Sequence, residues 1–297
     1  MASTLDTIAP GARVAVIRIR SLGDCVLTTP ALALLHAYRP DLTIAVVVEE
    51  RFRGVFEHHP AVSAILVDSV RRFQPELVLN FHGGTRSTLM TLGSGARLRA
   101  GFGHHFGARA YNVRIPRAQE ILGEERPLHT AEHLASAMFY LGVPRVEIPR
   151  ASLYASAGHL EDEPYLVMHP FASASDKAWP VARFVELASA LDSRVIVLAG
   201  PGDDIAPFSR FRVYQNAPLD TVKRLLRDAA LFIGNDSGPA HVAAAFGVPS
   251  VVLFGPTNAS TWGPWRTSAK VIQSSAGFAS IQVEECLKAI DDLKVNA

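Results

Sequence analysis

The sequence predicts an α/β protein of two domains, each built on a parallel sheet, and three observations predict it. Apolar runs of strand length alternate with helix-length amphipathic stretches through residues 13–141, and the same alternation restarts at Tyr165. Between the two, Gly142 to Pro164 collects Pro144, Pro149, Gly158 and Pro164 with acidic Glu161-Asp-Glu163, the composition of an interdomain linker. With 297 residues, 48% of them hydrophobic, the chain is long enough to bury two ordinary cores. Strand-helix alternation favours parallel strands joined by crossover helices. The expected domains are residues 1–150 and 151–297.

In the first domain, Arg13 to Ile19 is an apolar run that Arg20-Ser-Leu-Gly-Asp24 ends, and a helix is expected to begin near Asp24. Val26, Leu27, Ala31, Leu34 and Leu35 give it helical spacing, it stops before Pro40, and Pro30 is expected to kink or restart it. Thr43 to Glu49 reads as the second strand, Arg51 to Glu57 as a short helix, Ala64 to Asp68 as the third strand and Glu76 to Phe81 as the fourth. Phe81-His-Gly-Gly-Thr-Arg-Ser87 is a further strand-to-helix turn, and His129 to Leu141 is an amphipathic helix through Leu134, Ala137, Met138 and Leu141.

In the second domain, strand Tyr165 to His169 is followed by a loop, a helix at Pro180 to Leu191, strand Arg194 to Ala199 and the turn Gly200-Pro-Gly-Asp-Asp204. A helix at Thr221 to Arg227 leads to a stretch that reads as strand, anion-binding turn and helix. There, Ala230 to Gly234 is apolar, Asn235-Asp-Ser-Gly238 breaks it, and Pro239 opens a helix whose C-terminal cap is Gly247. Unpaired amides and the positive dipole end at such a turn suit a phosphate or diphosphate, and His241 in the first turn can donate to the same anion. Asp236 or Ser237 as a plain cap, and His241 as a packed residue, are the alternatives. Val283 to Leu293 is a closing amphipathic helix, and no repeat at the level of residues links the two halves.

Composition narrows the function classes. No apolar run approaches the ~18 residues of a membrane span, and no leader-like segment precedes Arg13, so cytoplasmic residence is expected. Cys25 and Cys286 are far apart, and no His/Cys ligand spacing stands out, so idle thiols and no metal are expected. Residues 1–150 hold 17 arginines, no lysine and 13 acidic residues, which makes an anionic partner for this half conceivable, as does a bias toward arginine codons. Nucleic acid is not indicated, because no basic cluster is interleaved with stacking aromatics.

Asn235-Asp-Ser-Gly-Pro-Ala-His241, with Phe246-Gly-Val-Pro249, Leu253-Phe-Gly-Pro-Thr257 and Trp262-Gly-Pro264, resembles the C-terminal signature of family nine glycosyltransferases, the bacterial ADP-heptose:lipopolysaccharide heptosyltransferases. Ser21-Leu-Gly-Asp24 with Thr28-Thr-Pro-Ala-Leu32 is similar to the family's opening, and Ala178-Trp-Pro180 after Lys177 to its Lys-x-Trp-Pro segment. The resemblance implies a GT-B fold, two Rossmann-like domains with parallel sheets facing across a cleft. It places Asp236, Ser237, Gly238 and His241 on the donor diphosphate, Lys177 and Ser173 beside it, and Asp203 or Asp204 near the donor ribose. Arg86, at the place of the family's Arg-Ser, is implied as a contact to an anionic acceptor, and a solvated surface arginine is its alternative. Phe171 stands where the family usually has glycine.

The activity so implied is transfer of a heptose or related sugar from an ADP-sugar to a glycan or glycolipid acceptor of lipopolysaccharide-core type, with the inner membrane met only at its surface. Asp24 is the implied general base, and as a cap residue it could still face a ligand. It lies at the carboxyl end of the first strand, where open parallel sheets bind ligands, and a carboxylate with an ordinary pKa near 4 is ionised at neutral pH. Lys177 would stabilise the leaving diphosphate, no cofactor or divalent metal is required, and inversion at the anomeric carbon is expected. A dehydrogenase is disfavoured, since neither first turn carries Gly-x-Gly-x-x-Gly. A nucleotide-sugar epimerase and a catalytically silent nucleotide-binding protein are the remaining alternatives.

Overall fold

The computed structural model describes residues 3–172, 178–255 and 257–293. The chain divides into two compact units, Met1–Tyr154 and Ala155–Ala297. In the first unit, β1 (Arg13–Ile17), β2 (Thr43–Val47), β3 (Ala64–Leu66), β4 (Leu77–Asn80), β5 (Leu98–Phe102) and β6 (Val113–Ile115) pair in the order β3-β2-β1-β4-β5-β6, every pair parallel. Helices α1 (Leu22–Tyr38), α2 (Thr85–Gly93), α3 (Ala118–Leu122) and α4 (Thr130–Leu141) connect and cover the sheet, and α1 packs on α4.

The second unit repeats this plan. Its strands are β7 (Leu166–His169), β8 (Val195–Ala199), β9 (Arg212–Gln215), β10 (Leu231–Asn235), β11 (Ser250–Phe254) and β12 (Ala269–Gln273), in the order β12-β11-β10-β7-β8-β9, again all parallel. The helices are α5 (Val181–Ala190), α6 (Leu219–Asp228), α7 (Gly238–Phe246), α8 (Ala259–Trp262) and α9 (Val283–Asp292). Each unit therefore has the doubly wound strand order. In such a sheet ligands bind outside the carboxyl ends of the strands where the order reverses, here between β1 and β4 and between β7 and β10.

The central strands are buried on both faces, which is why they read as continuous apolar runs: Val14 to Ile17, Ile44 to Val47, Leu231 to Ile233 and Val251 to Leu253 are all fully buried. The core of the second unit gathers Trp179, Phe184, Phe208, Ile233 and Leu253, and Gly234 admits the backbone of β7. A Cβ at Gly234 would lie 2.7 Å from the carbonyl oxygen of His169. Edge strands β6, β9 and β12 carry Arg114, Arg212 and Lys270, and they escape a reading based on apolar runs.

The short helix expected after β2 is of the 3-10 type and spans Glu50–Val55. Two expectations about α1 are corrected. Helix α1 starts at Leu22 with Ser21 as its N-cap, so Asp24 is not the cap. The same helix runs unbroken through Pro30. Proline brings no N–H for the carbonyl of Val26 four residues back, and the hydroxyl of Thr29 donates to that carbonyl instead, at 2.8 Å.

Candidate functional site

At the carboxyl end of β1 the chain builds a buried ion pair. Arg18 lies just past the strand, 8% exposed, and its guanidinium donates to Asp24 Oδ1 and to the carbonyl of Phe81. Burial brings the guanidinium down to about 10, so it stays charged at neutral pH. The other carboxylate oxygen of Asp24 closes a capping box, accepting from Ser21 N at 3.2 Å and Ser21 Oγ at 3.0 Å. Three of the carboxylate's roughly four lone-pair positions are thus occupied, and one is left for a hydroxyl. The next turn of α1 is also tied down, since Thr28 donates to Asp24 O at 2.8 Å. Cys25 lies beneath, with its thiol pushed up to about 12 by burial, so it takes no part as a nucleophile.

The second side of this crevice is organised by Asn80, the last residue of β4 and fully buried. Its Oδ1 accepts from the amides of His82 and Gly83, both at 3.0 Å, and its Nδ2 donates to Thr91 on α2. The two-glycine turn after β4 is therefore shaped by a side chain that the sequence did not single out. Arg86, in the first turn of α2, is half exposed and lies 3.5 Å from Glu49, which also pairs with Arg51 at 2.9 Å. An anionic acceptor group at Arg86 would compete with that glutamate.

In the second unit the turn after β10 forms the anion-suited end of α7. Ser237 is the N-cap in extended conformation, Gly238 is the first helical residue and Pro239 follows, so the helix starts one residue before the expected Pro239. Ala240 donates back to Ser237 O at 3.1 Å, and Pro239 has no N–H, which leaves the amides of Ser237 and Gly238 as the turn's donors. Ser237 Oγ lies 3.2 Å from Nδ1 of His169, the last residue of β7, whose imidazole burial lowers to about 4. His169 is thus neutral at neutral pH. Asp236 donates its amide to Leu253 O at 2.9 Å, and His241 is buried at 5% exposure within the helix.

Asn235 braces the loop that follows β7. Fully buried, it donates from Nδ2 to Pro170 O at 2.8 Å and accepts from Trp179 N at 3.0 Å, so one amide grips both flanks of residues 171–178. Trp179 is pinned at its other end by Nε1 donating to Ile281 O at 3.1 Å. Phe171, in place of the usual glycine, sets its ring edge-on to His169 and Phe208 and so joins the core rather than standing over the turn. Ser173 and Lys177 lie outside the described residues. Asp203 and Asp204 follow β8 at the same edge of the sheet, where each first serves its own turn: Asp203 Oδ2 accepts from Gly200 N at 2.7 Å and Asp204 Oδ1 from Ala206 N at 3.0 Å.

The structure thus brings Asp236, Ser237, Gly238 and His241 together after β10, and Asp24 and Arg86 to the carboxyl edge of the first sheet. It adds Arg18, Asn80, His169 and Asn235, which sequence reasoning missed. A charge one residue beyond an apolar strand, and an asparagine closing one, were the available signals. A family model described as glycosyltransferase family 9 (heptosyltransferase) matches residues 64–289. The chain belongs to glycosyltransferase family 9. It is similar to lipopolysaccharide heptosyltransferase 3 of Escherichia coli, 26% identical over 307 residues and 87% of each chain. Among solved structures it resembles the family 9 glycosyl transferase of Veillonella parvula, with TM-score 0.84, 21% identity and 95% and 97% of the two chains covered. It also resembles the E. coli heptosyltransferase WaaC with ADP, with TM-score 0.79, 18% identity and 95% and 99% covered. The fold is GT-B, the protein is a glycosyltransferase, and the epimerase and silent-binder alternatives give way. Among the described residues no helix is long and apolar enough to cross a membrane.

Proposed function

We propose that this glycosyltransferase moves a heptose, or a close relative of it, from an ADP-linked donor to an anionic glycan of lipopolysaccharide-core type. The observation that carries the reading is the turn after β10, where two amides, a serine hydroxyl and a helix N-terminus are presented at the switch point of the second sheet. The donor diphosphate sits there, with Ser173 and Lys177 assigned to it by the family resemblance and Asp203 or Asp204 on the nucleoside side. Asp24 takes the proton from the attacking acceptor hydroxyl through its one open lone-pair position, and displacement is direct, with inversion. Developing charge on the leaving diphosphate is met by Lys177 and by the dipole of α7, so neither a cofactor nor a divalent ion enters the transfer step.

For the acceptor, Arg86 offers a guanidinium that an oxyanion can draw from Glu49. Leu89 and Leu92 of α2 are 63% and 53% exposed, and Phe106, in the loop whose Gly107 abuts Thr88 of α2, is 95% exposed. Apolar side chains beside arginines suit contact with the surface of an anionic bilayer that carries a lipid-linked acceptor, which supports a working position at the cytoplasmic face of the inner membrane. Calorimetry with ADP, ADP-heptose, UDP-sugars and GDP-sugars tests the donor: tightest binding of the adenine-linked pair is expected, and preference for a uridine donor overturns the assignment. Product analysis by NMR tests inversion, and a retained anomeric configuration removes the role given to Asp24.

A further inference from the structure

The turn that follows β5 carries two adjacent histidines, His104 and His105, and α4 presents His133 to them. One nitrogen from each ring falls within 4.8 Å of the other two. Phe102 holds the group in place: His133 stacks on it at 4.0 Å between ring centroids, and His104 and His105 each lie 5.5 Å away. Two glycines fix the turn. A Cβ at Gly83 would lie 2.3 Å from Nδ1 of His105, and one at Gly107 would lie 2.1 Å from Thr88 Oγ1, so the loop closes against the β4 turn and α2 only because both side chains are missing.

We propose that His104, His105 and His133 form a binding site for a borderline divalent transition-metal cation of the zinc class, with the fourth position open toward solvent on the side of His104. Among the described residues none of the three rings makes a hydrogen bond, and Nδ1 of His105 is enclosed without a partner, so an ion bound through that nitrogen would offset the cost of its burial. Imidazole binds such an ion through an unprotonated ring nitrogen, and each of the three rings offers one to the shared space. Three imidazoles without a carboxylate select against magnesium and calcium and suit zinc, nickel or copper. With bonds of about 2.1 Å, a tetrahedral zinc needs nitrogens closer than the present span, and rotation of the exposed His104 supplies the movement. Of the nearby charges, Arg18 is neutralised by Asp24, and His104 faces both Arg117 and Glu120. Such an ion ties the β5–β6 turn to α4. The sequence hid the site because two donors are adjacent in one turn and the third lies on a distant helix, a pattern without ligand spacing.

The test uses the full chain with any affinity tag removed and metals stripped by chelator, titrated with zinc chloride by calorimetry and with cobalt(II) by visible absorption. One zinc per chain and a tetrahedral cobalt spectrum are expected. His104→Gln, at an exposed position, is expected to weaken zinc binding by at least about tenfold, the lower bound for disturbing even an outer-sphere partner. His105→Gln repeats the test inside the group, and His159→Gln in the second unit serves as the control that keeps full affinity. Zinc should raise the melting temperature of the unmodified chain more than that of His104→Gln at the same zinc concentration. Absence of binding at micromolar zinc, equal affinity in His104→Gln, or loss of affinity in His159→Gln overturns the proposal.

Discussion

Strands β4 and β10 hold the same place in their two sheets, and both end in a fully buried asparagine, yet the two side chains are used differently. Asn80 turns forward and shapes the segment that follows its own strand, while Asn235 reaches sideways and braces the loop that leaves the neighbouring strand β7. The crevice in the first unit is then furnished with an ion pair and side-chain carboxylates, the one in the second with backbone amides and a hydroxyl. Topology fixes where a ligand is met, and the loops decide what chemistry meets it. A base needs a charged group held at one angle, whereas a diphosphate needs several weak donors held at one spacing.

The sharpest way to break this division is Asp24→Asn. Transfer should fall by about 100-fold or more, the contribution of a positioned general base, while calorimetric ADP affinity stays unchanged. Loss of ADP affinity in that variant would mean that the first crevice also serves the donor.

Asn235→Ala should come next in size. It orphans Pro170 O and Trp179 N, at about 1–3 kcal/mol for each buried group left unpaired, so both the melting temperature and ADP affinity should drop. Asn80→Ala should cost comparable stability, since His82 N, Gly83 N and Thr91 Oγ1 lose a partner, but should leave ADP binding intact. Equal effects of the two variants on ADP would erase the distinction between forward and sideways bracing.

Smaller again is Ser237→Ala, which removes one neutral hydrogen-bonding group. About 1 kcal/mol, or roughly fivefold in ADP affinity, is expected, with little change in stability. A further effect, spread over a pH range, concerns acid. Burial lowers His59 in the first unit and His169 in the second to about 4 from an ordinary 6.5. The unfolded chain then binds more protons between those values, so the stability these neutral rings contribute is complete above pH 6.5 and is lost as the pH falls toward 4. His59 accepts from Ala61 N at 3.2 Å and His169 lies against Ser237, so protonation disrupts a core contact in one unit and the donor turn in the other. Melting curves from pH 7 to 4 should flatten in His59→Gln and His169→Gln. In unmodified protein, ADP affinity should decline with acid more steeply than in His169→Gln.

Much of this was legible in the sequence, and for a physical reason. Strands buried on both faces are apolar throughout, so β1, β2, β4, β7, β8 and β10 announced themselves, as did α7 between Pro239 and Gly247. Edge strands β6, β9 and β12 are only partly buried and carry charges among their apolar residues, so pattern reading passed over them. The turn after β10 and Asp24 were singled out because a motif marks them. Arg18, Asn80 and Asn235 were not, because their work depends on partners 6, 11 and 65 residues away, and only the fold brings those together. Pro30 was expected to interrupt α1, and the hydroxyl of the residue before it repaired the ladder, a local solution that propensity does not express.

The missing side chain at Gly234 deserves to be seen as a gauge. The strands it separates, β7 and β10, each launch one of the two segments assigned to the donor diphosphate, and the carbonyl of His169 occupies the place where any other residue would put a carbon. A diphosphate has a fixed length, so under the proposed function the gap between these two strand ends has to be fixed as well. Here the standard for that gap is a single hydrogen atom, and even a methyl group would wedge the two strand ends apart.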